Sequence, residues 1–294
     1  MSDKKFGFIF IVNTVLGGGF FLVPGLVAGA GSGGYLIPLL AIPVLMYAVL
    51  IMLELSRISY TEKIKTVLKT VYSILCIILA AVAMALAALI CIDIMLPGVS
   101  PILLLIAFSI VIYLATASNN AIRGLKLLFF ICLIFLTVIL LLTVNEIKLE
   151  RLEPILISPI SSFASILPFF AGLITVPFVA RRGGTRPRIT GALIFSCICY
   201  ALICFICIGV LGSQCVASEK YALYIAVKSG ELLLDVRMLL ASAAFSLVLL
   251  KPSVNLAYTA MECTGGKSKW MRPVITLAML VLSIALEGTV GSIF

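Results

Sequence analysis

The sequence predicts an all-α polytopic membrane protein, a bundle of about nine transmembrane helices, and three observations predict it. First, 63% of its 294 residues are hydrophobic, 11% are charged and the mean hydropathy is +1.29. Ordinary globular chains carry roughly a quarter charged residues, and a soluble domain of this length could not cover itself with so little polar surface. Second, apolar runs of the ~20 residues needed to cross a hydrocarbon core recur along the chain. Third, the charges between the runs alternate in sign. The formal net charge of +9 therefore reads as membrane topology and gives no reason to expect a nucleic-acid partner.

In order, the spans are expected at Phe6–Ala30, Tyr35–Leu55, Val71–Leu96, Pro101–Ala117, Leu127–Val144, Phe163–Ala180, Ile189–Gly212, Met238–Met261 and Val274–Val290. No signal-type cleavage site follows the first run, which is read as a retained helix. The N-terminus and even-numbered gaps hold Lys4, Lys5, Arg57, Lys63, Lys65, Lys69, Arg123, Lys126, Arg181, Arg182, Arg186, Arg188, Lys267, Lys269 and Arg272, against Asp3, Glu62 and Glu262. The odd-numbered gaps hold Lys148, Arg151, Lys220, Lys228 and Arg237 against Glu146, Glu150, Glu153, Glu219, Glu231 and Asp235. Cytoplasmic loops carry the Lys/Arg excess, so the N-terminus is expected inside. A missed or invented helix would scramble the alternation. Of the two longer outer gaps, the second contains an amphipathic stretch, Glu219–Leu234, expected to form a short helix on the outer surface. No linker divides the chain, so residues 1–294 are expected to form a single transmembrane domain.

Two spans carry helix-breaking sequence. The first contains Gly17, Gly18 and Gly19 in mid-membrane, with Pro24 within two turns. Each glycine weakens a helix by roughly 1 kcal/mol relative to alanine, and irregular backbone is tolerated at membrane depth only against protein or a water-filled cavity. A discontinuous helix would use its freed backbone groups, and specifically the glycine amides, to bind a ligand carboxylate. Close helix packing is the other reading, because Gly25, Gly29 and Gly33 form small-xxx-small spacing. The sixth span has Pro168 and Pro177 flanking Phe169, Phe170 and Gly172; each proline removes an amide donor. Interrupted segments at corresponding places in two halves point to a transporter binding site. On that reading Gly17, Gly18 and Gly19 face Phe169, Phe170 and Gly172 across one ligand cavity, unless the two phenylalanines face lipid.

The stretch Phe169-Phe170-Ala171-Gly172 through Val176-Pro177-Phe178-Val179, the basic run Arg181 to Arg188, Ile208-Gly209-Val210-Leu211-Gly212, Leu223 to Ser229 and Leu250-Lys251-Pro252-Ser253 together resemble the spore germination permease family, the B subunit of bacterial nutrient germinant receptors. The glycine-rich start with Pro24 fits the same family. The resemblance implies membership of the amino acid–polyamine–organocation superfamily and a leucine-transporter-like inverted-repeat bundle, with its first and sixth helices broken. It implies a first repeat over about 1–145 and a second over about 146–294. The second repeat is shortened, because the family carries one span more than this sequence supplies. It further implies an amino acid or similar small nutrient as ligand, other germinant receptor subunits as partners, and a bacterial inner membrane, in spores the spore inner membrane, as location. An ordinary ion-coupled amino acid permease is the alternative.

Enzyme chemistry is not expected. With no histidine, histidine-dependent acyl transfer and histidine metal sites are excluded. Asp3, Asp93 and Asp235 are too scattered for the Asp-rich pairs that hold magnesium pyrophosphate. Cys197, Cys199, Cys204 and Cys207 cluster on the seventh span, where small buried thiols commonly serve packing, and no metal or other cofactor is expected. The run Arg181 to Arg188 reads as a topology anchor, open to contact with lipid phosphates or a partner subunit. Lys251 stands apart. It lies near the middle of the eighth span, about 18 Å from either surface at ~1.5 Å per residue, and a lysine facing lipid there costs several kcal/mol. Two readings fit: a structural lysine bonded to backbone carbonyls, or, as the resemblance implies, an ion-site mimic or coupling group that ties the eighth helix to the broken first one.

Overall fold

The computed structural model describes residues 3–19, 24, 27–57, 62–117, 143–153, 173–182, 185–219, 221–228, 250–264 and 270–293, with single positions at 134, 138, 141 and 155. Among the described residues all regular structure is helical. The helices are α1 (Asp3–Gly19), α2 (Ile37–Leu40), α3 (Ile42–Arg57), α4 (Glu62–Ile94), α5 (Pro101–Ala117), α6 (Val176–Arg181), α7 (Arg186–Leu211), α8 (Ser213–Ser218), α9 (Ala222–Lys228), α10 (250–263) and α11 (Met271–Ile293). Ser32–Glu54, Ile64–Ile94 and Arg186–Leu211 are each long and apolar enough to cross a membrane.

The second, fourth, seventh and ninth expected spans coincide closely with helices. The third begins earlier than expected, because α4 has 33 residues and at ~1.5 Å per residue outruns the hydrocarbon core. Its first turns carry Glu62, Lys63, Lys65 and Lys69, polar residues suited to the water beyond the bilayer. Within the amphipathic stretch Glu219–Leu234, Ala222–Lys228 form a helix, α9, whose Ala222, Leu223, Ala226 and Val227 are buried, and residues 229–234 lie outside the described residues. Most of the fifth span, and the sixth up to Gly172, lie outside the described residues.

The chain divides into two compact units, one of Met1–Ser56 with Cys132–Ala244 and the other of Arg57–Ile131 with Phe245–Phe294. In the first unit α7 is the central element. Ring pairs bind α1 to its neighbours: Phe8 with Phe195 of α7 at 6.1 Å and Phe10 with Phe178 of α6 at 5.4 Å. Tyr35, in a 3-10 turn over Ser32–Leu36, meets Phe205 of α7 edge-on at 5.3 Å. Gly34 in that turn is an enforced glycine, since a Cβ there would lie 2.0 Å from the Val27 carbonyl oxygen.

The second unit packs α4 against α5 and α11. The buried stripe of α4 is Ser73, Cys76, Ala80, Met84, Ala87 and Cys91, small enough for close helix approach. The Ser283 hydroxyl of α11 donates to the carbonyls of Ala81 (2.9 Å) and Met279 (2.7 Å), Ser73 donates to Ala260 of α10 (3.2 Å), and Arg272 donates to Ala117 at the end of α5 (2.9 Å). The opposite faces are apolar and exposed, for example Val67, Val71, Ile74 and Ile78 on α4 and Leu103, Ile110 and Leu114 on α5. Such faces are unfavourable in water and suited to lipid. The hydroxyls that remain within single helices donate to their own preceding turn, as Thr14 does to Phe10, Thr116 to Ile112 and Ser196 to Ala192, each at 2.8 Å; local back-bonding satisfies them without water.

Gly34→Ala is expected to destabilise the detergent-solubilised protein by about 1–3 kcal/mol, the usual range for overpacking. Gly191→Ala on α7, where the nearest foreign atom is a Phe8 ring carbon 4.0 Å away, should be neutral or stabilising by up to about 1 kcal/mol. Thermal unfolding of the two variants beside the wild type checks both, and an unchanged midpoint for Gly34→Ala would contradict the packing at Val27.

Candidate ligand site at the end of the first helix

Gly17, Gly18 and Gly19 are the last described residues of α1 before a stretch, 20–23, that lies outside the described residues; Pro24, Val27 and Ala28 beyond it are helical again.

Tyr200 of α7 reaches this end. Its hydroxyl donates to the carbonyl oxygens of Val15 and, at 3.2 Å, Leu16, and the residue is only 1% exposed. One helical turn before Gly17 stands Asn13, also 1% exposed, whose Oδ1 has no hydrogen-bond partner among the described residues. A buried amide oxygen without a donor costs about 1–3 kcal/mol; it is a standing acceptor for a ligand or water. Thr175, fully buried, caps the start of α6, and Phe178 of α6 carries Arg182 over its ring at 5.1 Å. Asn13 and Tyr200 are the residues that reading the sequence for glycine and proline missed. Each did leave a signal, as a polar side chain within an otherwise apolar run.

Phe169, Phe170 and Gly172 lie outside the described residues. Lys251, in the second unit, is 4% exposed on α10 and shares its helix face with buried Asn255 and Thr259, at i, i+4 and i+8. That burial fits a lysine kept away from lipid. Ser253 is buried too, and its hydroxyl has no hydrogen-bond partner among the described residues.

Apolar outward faces and hydroxyls satisfied within or between helices define a helical membrane protein. A family model described as spore germination protein matches residues 3–236, and the chain belongs to that spore germination permease family. No curated protein matches it.

Tyr200→Phe keeps the ring and removes the donor shared by two buried carbonyls. The variant is expected to lose about 1–3 kcal/mol of stability, read as a lower unfolding midpoint in detergent. Tyr200→Phe with wild-type stability would mean that these carbonyls are satisfied without the hydroxyl.

Proposed function

We propose that the chain is the permease-like membrane subunit of a spore nutrient germinant receptor, and that it binds an amino acid or similar small nutrient at the end of α1. The observation that carries this reading is the family match over residues 3–236, joined by the placement of the three glycines directly after a buried Asn13, whose Oδ1 has no partner among the described residues, and after carbonyls that accept from Tyr200. The nutrient is bound at Gly17, Gly18 and Gly19. Phe169, Phe170 and Gly172 supply the apolar wall that such cavities usually have. Lys251 acts as an ion-site mimic or coupling group in α10.

The composition of the two units supports an inverted-repeat, nine-span reading. The first unit takes the expected first, second, sixth and seventh spans and most of the fifth, and the second takes the third and fourth with the ninth and most of the eighth. Moving five spans along the chain keeps each of the first four spans within its own unit, as two related halves would require. The charge alternation supports a cytoplasmic N-terminus, and the family supports partner receptor subunits in the inner membrane of the cell or spore.

Disrupting the gene in a spore-forming host is expected to abolish germination triggered by at least one nutrient while leaving other triggers intact; unaltered responses to every nutrient would overturn the receptor reading. Reconstituted protein should bind labelled amino acid without net accumulation, whereas accumulation down an ion gradient would identify an ordinary permease. Gly18→Leu should abolish binding with membrane insertion intact, and Gly172→Val should change which amino acids are bound. Lys251→Met should lose the nutrient response while inserting normally, and Lys251→Arg should be impaired because a planar fork does not replace a compact ammonium. Full response in Lys251→Met would reduce the residue to scaffolding.

A further inference from the structure

The first unit contains a second feature, separate from the end of α1. An open surface cleft of about 750 Å³ is bounded by three stretches of chain: residues 28–32, residues 150–153 and residues 211–217. Its volume lies within the roughly 300–1,000 Å³ typical of ligand pockets. The three stretches fall in or at the edges of the first, fifth and seventh gaps, the odd-numbered ones whose charge balance marks them as outer. Folding thus brings together loops that the charge pattern assigns to one side of the membrane.

The walls are anchored to α7. Gly212 ends α7 at φ 87° and Gly31 turns the chain at φ 112°, conformations that favour glycine. The Lys148 amide donates to the carbonyl of Gly209 on α7 at 3.0 Å. Gly209 has no room for a side chain, because a Cβ there would lie 2.7 Å from the Ile147 side chain. Leu152 is buried. A 3-10 turn over Leu149–Arg151 is thereby pinned at both flanks, and it delivers Glu150 and Arg151 to the cleft, with Glu153 just beyond. The Arg151 stem passes over Gly212, its Cδ 3.9 Å from where a Cβ would stand. None of Glu150, Arg151 and Glu153 forms a hydrogen bond or ion pair through its side chain with another described residue. Two carboxylates and one guanidinium therefore line one cleft with their charges uncommitted, beside Ser32, Ser213 and Gln214.

We infer that this cleft is an outer binding site for a free α-amino acid, ahead of the site at the end of α1. The chemistry selects a zwitterion. A guanidinium takes a carboxylate through paired charge-assisted hydrogen bonds, and a glutamate takes an ammonium. A simple anion would meet two carboxylates for one arginine, and a simple cation would leave the guanidinium donors without a ligand acceptor. The inference rests on the amino acid reading of the proposed function, but it concerns different residues and can fail separately.

Cys215 lines the cleft as a half-exposed free thiol and serves as a reporter. Full-length protein in liposomes is treated with a charged, membrane-impermeant methanethiosulfonate, and the modification rate at Cys215 is taken by difference from Cys215→Ser. A mixture of L-amino acids is expected to slow the reaction several-fold, whereas propylamine or propionate at the same concentration should not. In Arg151→Gln the protection should vanish, and in Gly18→Leu it should persist. No protection by amino acids in the wild type overturns the cleft site, as does full protection in Arg151→Gln. Protection lost in Gly18→Leu also overturns it, since Cys215 would then be reporting the site at α1. If labelled amino acid binds the wild type while Cys215 stays unprotected, this site falls and the proposed function stands. If Cys215 is protected in both wild type and Gly18→Leu while Gly18→Leu leaves nutrient response unchanged, the site stands and the α1 assignment falls.

Discussion

Inside a bilayer no water is available to a backbone group that leaves its helix ladder, so each such group must find a donor or acceptor within the protein. The Tyr200 hydroxyl meets the same constraint on another helix, by donating to the carbonyls of Val15 and Leu16 of α1. That contact fixes which face α7 turns toward α1 and why a tyrosine is tolerated deep in an apolar helix. The ring pairs of Phe8 and Phe10 with Phe195 and Phe178 hold α1 in the register the bond requires. Asn13 shows the same constraint left open, with a buried oxygen waiting for a donor that the described residues do not supply.

The second unit meets the constraint differently. Its helices keep their backbone ladders and approach through alanine, serine and cysteine, with hydroxyls reaching across to carbonyls of neighbouring helices at Ser73 and Ser283. In lipid no hydrophobic force drives helices together, so close packing of small side chains and such cross-helix bonds take its place. The result is a buried face of α4 built mostly of small residues, while Met84, Leu105 and Ile112 fill the space between helices. Lys251, Asn255 and Thr259 interrupt that pattern along one face of α10. Polar groups at membrane depth are costly enough to mark that face as functional or structurally committed.

A glycine run marks a place where a helix is weak without fixing the ligand charge it favours, since a helix N-terminus attracts anions and a C-terminus cations. The outer cleft owes its charge to chain path. Glu150, Arg151 and Glu153 are ordinary loop residues until the ties of Ile147 and Lys148 to Gly209 hold their turn beside the end of α7.

The sequence by itself determined the helical membrane class, the family and most helix positions, since these follow from local quantities: apolar run length, charge in the gaps and the residues Gly17 to Pro24 and Phe169 to Pro177. It foretold α5, α7 and α11 to within a few residues because a span is delimited by where apolar side chains give way to polar ones. It also singled out Lys251, whose burial follows from the cost of a charge at that depth. Tertiary structure alone decided that Tyr200 serves α1, that Asn13 finds no partner among the described residues, and that the loops near residues 30, 150 and 213 line one cleft. Each of these depends on side chains far apart in sequence meeting in space. Apolar periodicity in a helix exposed to lipid gives little sign of such meetings, because lipid-facing and core-facing residues are equally apolar.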